Sequence, residues 1–204
     1  MSGDPRRADA RRNHERVVRA GVDAFRELGA TPSLEEVARR AGVGIATVYR
    51  LVGGRQGLLR AAFEQFFAEE IVPLAEAARA GGGDPWAALS GALIATVERL
   101  AANRHLFTEA TRAGAISLDV AERYLTPLGH VLRAAQRAGQ VRADLLVRDL
   151  GAIVVMALVT AHPDDPRPGH HQTADRHRYL ALLLDGARPG PAPLPPPAPD
   201  VPRP

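Results

Sequence analysis

The stretch Ser33-Leu34-Glu35-Glu36-Val37-Ala38-Arg39-Arg40-Ala41-Gly42-Val43-Gly44-Ile45-Ala46-Thr47-Val48-Tyr49-Arg50 decides the fold. Ser33 followed three residues later by Glu36 reads as a capping box. The serine oxygen accepts from the Glu36 backbone N–H, and the glutamate side chain reaches back to the Ser33 N–H. Leu34, Val37, Ala38 and Ala41 then form a narrow apolar stripe at helical spacing. Gly42, Val43 and Gly44 interrupt it, and Ile45 to Leu51 resumes as a short helix with Val48 and Tyr49 on adjacent edges. A glycine in the turn permits positive φ, Ala38 lets the two helices approach, and Val43 plugs the corner between them. The second helix is then free to enter a major groove with its N-terminal residues toward base edges. The same helix, glycine turn and helix also occurs as a plain hairpin inside an α-bundle, so the surrounding sequence has to separate the two readings.

Upstream, Val17, Val18, Gly21, Ala24, Phe25 and Leu28 fall on one helical face, which predicts a first helix from about Ala8 to Leu28 with Gly29 as its stop. Charge is divided unevenly. Residues 1–60 hold 12 arginines against 7 acids, a balance of +5, whereas residues 61–204 hold 14 against 16. A basic head on a slightly acidic body suits an anion-binding front end, although a solvated basic surface has the same signature. The chain of 204 residues is 46% hydrophobic and 4% aromatic, a composition that favours helices over sheet and predicts an all-α protein. Without cysteine it has no disulfide, thiolate metal site or cysteine nucleophile. Every basic residue other than histidine is arginine, which reflects base composition more than function. Met1, Ser2, Gly3, Asp4 and the arginines that follow make no apolar leader, and no run of about 18 apolar residues occurs, so a cytoplasmic location is expected.

From Arg12 to Phe63, with the quoted stretch at its centre, the sequence resembles the TetR/AcrR family of transcriptional regulators. In that family an apolar residue and a tyrosine end the recognition helix, a basic residue follows a short turn, and a Leu-Leu pair opens a fourth helix. Val48, Tyr49, Arg55, Leu58 and Leu59 match this pattern. Leu51 and Val52 replace the usual histidine and phenylalanine, Gly53 and Gly54 replace the next pair, and Arg55 replaces the usual lysine. Gly53, Gly54 and Gly57 are therefore expected to loosen the hinge between head and body. The resemblance implies that Gly44, Ile45, Ala46 and Thr47 face the groove, Ile45 and Ala46 against thymine methyls and Thr47 against a base or phosphate. Tyr49 and Arg50 would pass the backbone, and Arg55 with the Ser33 helix start would hold phosphates. Arg6, Arg7, Arg11 and Arg12 are expected to form a flexible basic arm. For Tyr49 a core position is the alternative, and for the arm, solvated charge.

Beyond Leu59, Phe63, Phe66, Phe67 and Ile71 extend a connecting helix that Pro73 should kink or end. Gly81 to Gly83 form a loop, and Asp84 with Pro85 starts a helix through Trp86, Leu89, Leu93, Val97 and Leu100. Further helices are expected at about His105 to Ala113, Leu118 to Ala138, Asp144 to Ala161 and Thr173 to Leu184, with a loop over Pro163 to His171. The Asp144 helix is apolar almost all round and calls for burial on several sides, most economically against a second copy. The resemblance places the homodimer interface on the last two helices, at about 144–161 and 173–184. The expected organisation is a helix-turn-helix DNA-binding domain over residues 8–60, a helical ligand-binding and dimerisation domain over 61–186, and a disordered proline-rich tail over 187–204.

The resemblance also implies an effector pocket in the body. Trp86, Leu89, Leu93, Phe107, Thr108, Thr111, Tyr124 and Met156 are its expected lining, with ordinary core residues as the plain alternative. No phosphate-binding glycine motif, nucleophile elbow or zinc-helix pattern appears. His105 and Glu109 share a helical face but lack a third ligand. His162, His170, His171 and His177 cluster around one loop without a carboxylate framework, so no metal and no cofactor are expected. The expected function is a repressor released from its operator by a small molecule. A constitutive DNA-binding dimer, and a helical enzyme or interaction protein, stand as alternatives.

Overall fold

The computed structural model describes residues 5–28, 31–159 and 172–196. Their regular structure is helical throughout: α1 (Pro5–Leu28), α2 (Leu34–Ala41), α3 (Ile45–Val52), α4 (Arg55–Phe66), a π-helical turn (Phe67–Ile71), α5 (Val72–Ala80), α6 (Pro85–Ala102), α7 (Arg104–Arg112), α8 (Leu118–Arg137), α9 (Val147–Val159) and α10 (Gln172–Gly186). The expected all-α architecture is the one observed. Gly29, the Pro163–His171 loop, and His162, His170 and His171 lie outside the described residues.

Two apolar clusters organise these helices. The first joins Val17, Val18 and Ala24 of α1 to Leu34, Val37 and Ala41 of α2, Val48 and Val52 of α3, and Leu58 of α4. The second runs from Val22 and Phe25 of α1 and Leu59 and Phe63 of α4 through Leu89, Leu93 and Val97 of α6 to Tyr124 and Leu128 of α8, Leu150 and Ile153 of α9, and Leu180 of α10. Helices α1 and α4 thus serve both clusters, one face each, and tie head to body. They approach closely at Gly21, where a Cβ would come within 2.8 Å of Leu58 Cδ1.

Several boundaries differ from the sequence reading. Helix α1 begins at Pro5, so Arg11 and Arg12 belong to its opening turns and not to a flexible arm. Arg11 lies 3.6 Å from Glu15, and Arg12 pairs with Asp9, so acids on the same helix hold both. The side chains of Arg6 and Arg7 lie outside what is described. Pro73 neither ends nor breaks the chain's helical course. It occupies the first turn of α5, where its missing N–H is not needed. Just before it, the Val72 N–H reaches back five residues to Phe67 O. Helix α9 starts at Val147, three residues after Asp144. The Asp144 carboxylate is taken by Arg142 at 2.5 and 3.0 Å, and it is Asp149 that accepts from the Leu146 N–H at 2.8 Å.

The same Arg142–Asp144 pair corrects the expectation of a disordered tail for residues 187–196. The Arg142 N–H donates to Ala187 O at 3.1 Å, and its Nη2 donates to Ala192 O at 2.8 Å. The Leu194 N–H donates to Asp144 Oδ2 at 2.7 Å. Arg188 stacks 4.7 Å from the centroid of the Trp86 ring. Main-chain groups, which proline-rich composition does not reveal, fix this segment. Residues 197–204 of the expected tail lie outside the described chain. Among the described residues no helix is long and apolar enough to cross a membrane.

Candidate nucleic-acid interface

The turn between α2 and α3 forms as its residues dictate. Gly42 has φ +63°, and its N–H closes α2 on Ala38 O and Arg39 O. From α1, Arg16 Nη2 donates to Ala41 O at 2.5 Å, and a Cβ on Gly42 would approach that same nitrogen to 3.0 Å. Val43 N–H donates to Ala38 O at 3.1 Å while its side chain packs on the head core. Gly44 takes an ordinary extended conformation, φ −70°, as the N-cap of α3.

The capping box forms only by half. The Glu36 N–H donates to Ser33 Oγ at 3.1 Å. The Glu36 carboxylate turns away from Ser33, accepting from Arg39 at 2.9 and 2.6 Å and from Arg40 at 2.6 Å. Hydrogen bonds from these two guanidinium groups hold its pKa at about 2. Arg40 also reaches Glu27 of α1 at 2.6 Å. Two of the head's arginines are thereby committed to internal pairing.

The recognition helix turns one face in and one out. Val48 is fully buried and Val52 nearly so. Gly44, Ile45, Ala46, Tyr49 and Arg50 are exposed, Thr47 is half-buried, and Ser33 and Arg55 are exposed at the starts of their helices. The positions i, i+1, i+4 and i+5 place Ile45, Ala46, Tyr49 and Arg50 on one side of α3. With 55% of its surface exposed, Tyr49 is not a core aromatic. Its ring covers the backbone of Gly54, where a Cβ would stand 3.7 Å from Tyr49 Cε1. Among the described residues the side chains of Arg50 and Arg55 make no hydrogen bond or ion pair, in contrast to those of Arg39 and Arg40. Their charge faces solvent uncompensated, the state in which arginine attracts phosphate.

The glycines after α3 are set by geometry and not only by flexibility. Gly53 (φ +72°) ends the helix with its N–H on Tyr49 O at 2.8 Å, and Gly54 lies at φ +101°. At Gly57 a Cβ would fall 1.6 Å from Val52 O, so the first turn of α4 rests directly on the end of the recognition helix.

The expected pocket residues do not all meet. Leu89, Leu93 and Tyr124 are buried in the body core, with Trp86 and Phe107 packed partly buried against it. Thr108, Thr111 and Met156 are exposed, and the Thr111 hydroxyl donates to Phe107 O of its own helix at 2.8 Å. The core holds a polar pair that the sequence reading missed in part: Tyr124 Oη donates to Thr96 Oγ1 at 2.9 Å, both residues buried. Burial raises the pKa of Tyr124, opposed by its bond to Thr96, and the phenol stays protonated. A threonine three residues after Leu93, within an otherwise apolar stripe, was the available signal. His105 is half-buried. Glu109 accepts from Thr31 at 3.4 Å and from Arg112 at 3.1 Å, and His177 lies 3.2 Å from Glu98.

Comparison with known proteins gives a consistent picture. The family described as transcriptional regulator SbtR-like, C-terminal domain, matches residues 84–189. A TetR transcription regulatory protein from Mycobacterium vanbaalenii is 32% identical, with 90% of this chain and 99% of that one covered and a TM-score of 0.59. A TetR transcriptional regulator from Streptomyces coelicolor is 27% identical over 86% of this chain and 98% of that one, with a TM-score of 0.58. The transcriptional regulator FadR from Bacillus subtilis, solved in complex with stearoyl-CoA, shares the fold at 18% identity, 84% and 98% coverage and a TM-score of 0.61. The search of curated proteins gives no match.

Proposed function

Because the chain belongs to the TetR family of transcriptional regulators, we propose that it acts as a homodimeric repressor, gripping operator DNA with α2 and α3 and releasing it when a small molecule occupies the helical body. The outward face of α3 carries this reading. Ile45, Ala46 and Tyr49 are exposed on a helix whose opposite face is anchored by Val48 and Val52, and Arg50 and Arg55 flank them with uncompensated charge. Ile45 and Ala46 then meet thymine methyls from the start of the helix, with Thr47 beside them for a base or phosphate. Tyr49, Arg50, Arg55 and the Ser33 helix start position the backbone without reading sequence.

Two heads require two chains. Val155, Met156 and Val159 of α9 are 47%, 44% and 64% exposed, and Leu182 of α10 is 60% exposed. Apolar side chains on the last two helices support a dimer interface there, with the heads spaced for successive major grooves about 34 Å apart. The division into a head over 8–60 and a body over 61–186 is supported by the two apolar clusters, which meet along α1 and α4. FadR, with stearoyl-CoA in its structure, is the precedent for an effector. Here the proposed lining is Trp86, Leu89, Leu93, Phe107 and Tyr124, with Thr96 added for its hydroxyl. This work involves no catalytic step and takes place in the cytoplasm, where the chromosome is.

The test is salt dependence. Arg50→Gln and Arg55→Gln should each flatten the slope of log affinity against log salt by about one unit. Unchanged slopes in both variants would remove the two arginines from the interface and leave the outward face of α3 without the phosphate contacts proposed to flank it.

A further inference from the structure

The shortest polar contact between head and body is made by Glu70, in the π-helical turn. Its two carboxylate oxygens serve different elements. Oε1 accepts from Arg26 Nη2 of α1 at 2.5 Å, and Oε2 accepts from Arg99 Nη1 of α6 at 3.0 Å. Arg26 is held a second time, its Nε donating to Asn103 Oδ1 at 3.1 Å. Asn103, buried just past the end of α6, donates from Nδ2 to Arg99 O at 3.0 Å. Four residues thus close a ring through α1, the π-turn and α6, the last link being the Arg99 carbonyl. Next to it, Glu69 accepts from Arg19 at 3.3 Å and from Gln65 at 3.0 Å. Arg19 and Arg26 are seven residues apart, on one stripe of α1, so the clamp extends along two turns.

Apart from these contacts and the Thr31–Glu109 hydrogen bond at 3.4 Å, the junction is apolar: Val22 and Phe25 of α1 and Leu59 and Phe63 of α4 belong to the body cluster. Apolar burial holds two surfaces together but is non-directional, so it leaves the angle between them soft. Guanidinium groups have fixed fork geometry, and the Glu70 side chain is only 22% exposed. Its partners Arg26 and Arg99 are 43% and 51% exposed, so the ring differs from an ordinary surface ion pair in joining three elements at once and not in being shielded from solvent. The ring also joins α6 to α1 directly, without passing through α4.

We propose that Glu70 is a positioning residue for DNA binding: by clamping Arg26 of α1 to Arg99 of α6 it fixes the angle at which the reading head stands on the body. The proposal rests on the DNA-binding reading, and its test separates the two. The chain has no cysteine, so Glu35→Cys in α2 and Ala87→Cys in α6, both at exposed positions, place one spin label on the head and one on the body. Labelled chain diluted in unlabelled chain then reports a single head-to-body distance by pulsed electron resonance. Binding to the DNA upstream of the protein's own gene is measured in parallel on the unlabelled full chain. Glu70→Gln and Arg26→Gln should each broaden the distance distribution and weaken binding about tenfold, the loss expected for one charge-assisted hydrogen-bonded pair. The double variant should be no worse than either single one. Glu76→Gln removes a pair confined to α5 and should change neither readout. Arg26 is 43% exposed at its side chain, so its variant carries the test if Glu70→Gln fails to fold. A narrow distribution with lost affinity, a broad one with full affinity, or additive losses would each overturn the proposal. If the wild type shows no preference for the upstream DNA, the DNA-binding reading fails, and the distance distributions still decide whether Glu70 sets the head angle.

Discussion

Replacing glycine by alanine should have opposite effects at two positions in this chain, and the sign can be worked out beforehand. Within a helix the exchange ordinarily stabilises by about 1 kcal/mol, because glycine loses more backbone entropy on folding. Gly91 lies inside α6 with no heavy atom within 4 Å of where its Cβ would stand, so the full gain is available there. Gly57 lies in the first turn of α4, and its Cβ would stand 1.6 Å from Val52 O and 2.8 Å from Val52 C. Relief to an ordinary contact requires α3 and α4 to part by about 2 Å, since non-bonded heavy atoms settle near 3.5 Å. Overpacking of this kind costs about 1–3 kcal/mol and occasionally more, which exceeds the entropy gain. For a chain of this length about 1 kcal/mol moves the Tm by roughly 2–4 °C. Gly91→Ala should therefore raise the Tm by a few degrees with unchanged DNA binding. Gly57→Ala should lower it by a similar amount or more and weaken DNA binding, because the part that moves is the recognition helix. Thermal unfolding by circular dichroism reads the first quantity and fluorescence anisotropy on labelled DNA the second. If Gly57→Ala were as stable as the wild type and bound DNA equally well, the close approach of α4 to the end of α3 would be refuted.

Three further outcomes follow from other parts of the molecule. Tyr124→Phe leaves the buried Thr96 hydroxyl without its donor and should cost about 1–3 kcal/mol, whereas the double variant Tyr124→Phe, Thr96→Val should recover much of it; chemical denaturation distinguishes the two, and equal losses would exclude a coupled pair. Hydrogen bonds from Arg142, and then the Leu194 N–H, lower the Asp144 pKa from its ordinary 3.8 to about 2. A carboxylate lowered on folding stabilises above its ordinary value, and that contribution is lost as the pH falls through the folded value, so the 187–196 segment should loosen between about pH 4 and pH 2; the Leu194 amide resonance follows it, and a shift constant over that window would contradict the docking. Val155→Glu with Leu182→Glu should convert a dimer to monomers in light scattering, and dimers that persist would move the interface away from α9 and α10.

The head was legible because its signals are local. Ser33 and Glu36 mark a helix start, Gly42 supplies a positive φ that few other residues tolerate, and the spacing of Leu34, Val37 and Ala41 sets the buried face. What was not legible depends on competing partners, some next door and some distant in sequence. The Glu36 carboxylate chose Arg39 and Arg40 over the backbone, a competition between a charged and a neutral donor that the capping pattern alone does not decide. Asp144 has the look of a helix cap but lies before α9, bound to Arg142 and to a segment 50 residues further on. The same contacts order a proline-rich stretch whose composition signals only extension. In the body, Leu89, Leu93 and Tyr124 were found by helical spacing, whereas Thr108, Thr111 and Met156 share that spacing yet face outward. Periodicity fixes which residues share a face of a helix but not which face the neighbouring helices cover.

Whether the exposed face of α3 reads operator DNA is settled with the purified protein on the intergenic DNA upstream of its own gene, beside scrambled DNA of equal length, at two salt concentrations. A preference for the upstream fragment should survive the higher salt and disappear in the Thr47→Ala, Tyr49→Ala double variant, while the Tm of that variant stays near the wild-type value because neither side chain is buried in the core. Retention of the full preference in the double variant would contradict that role for α3.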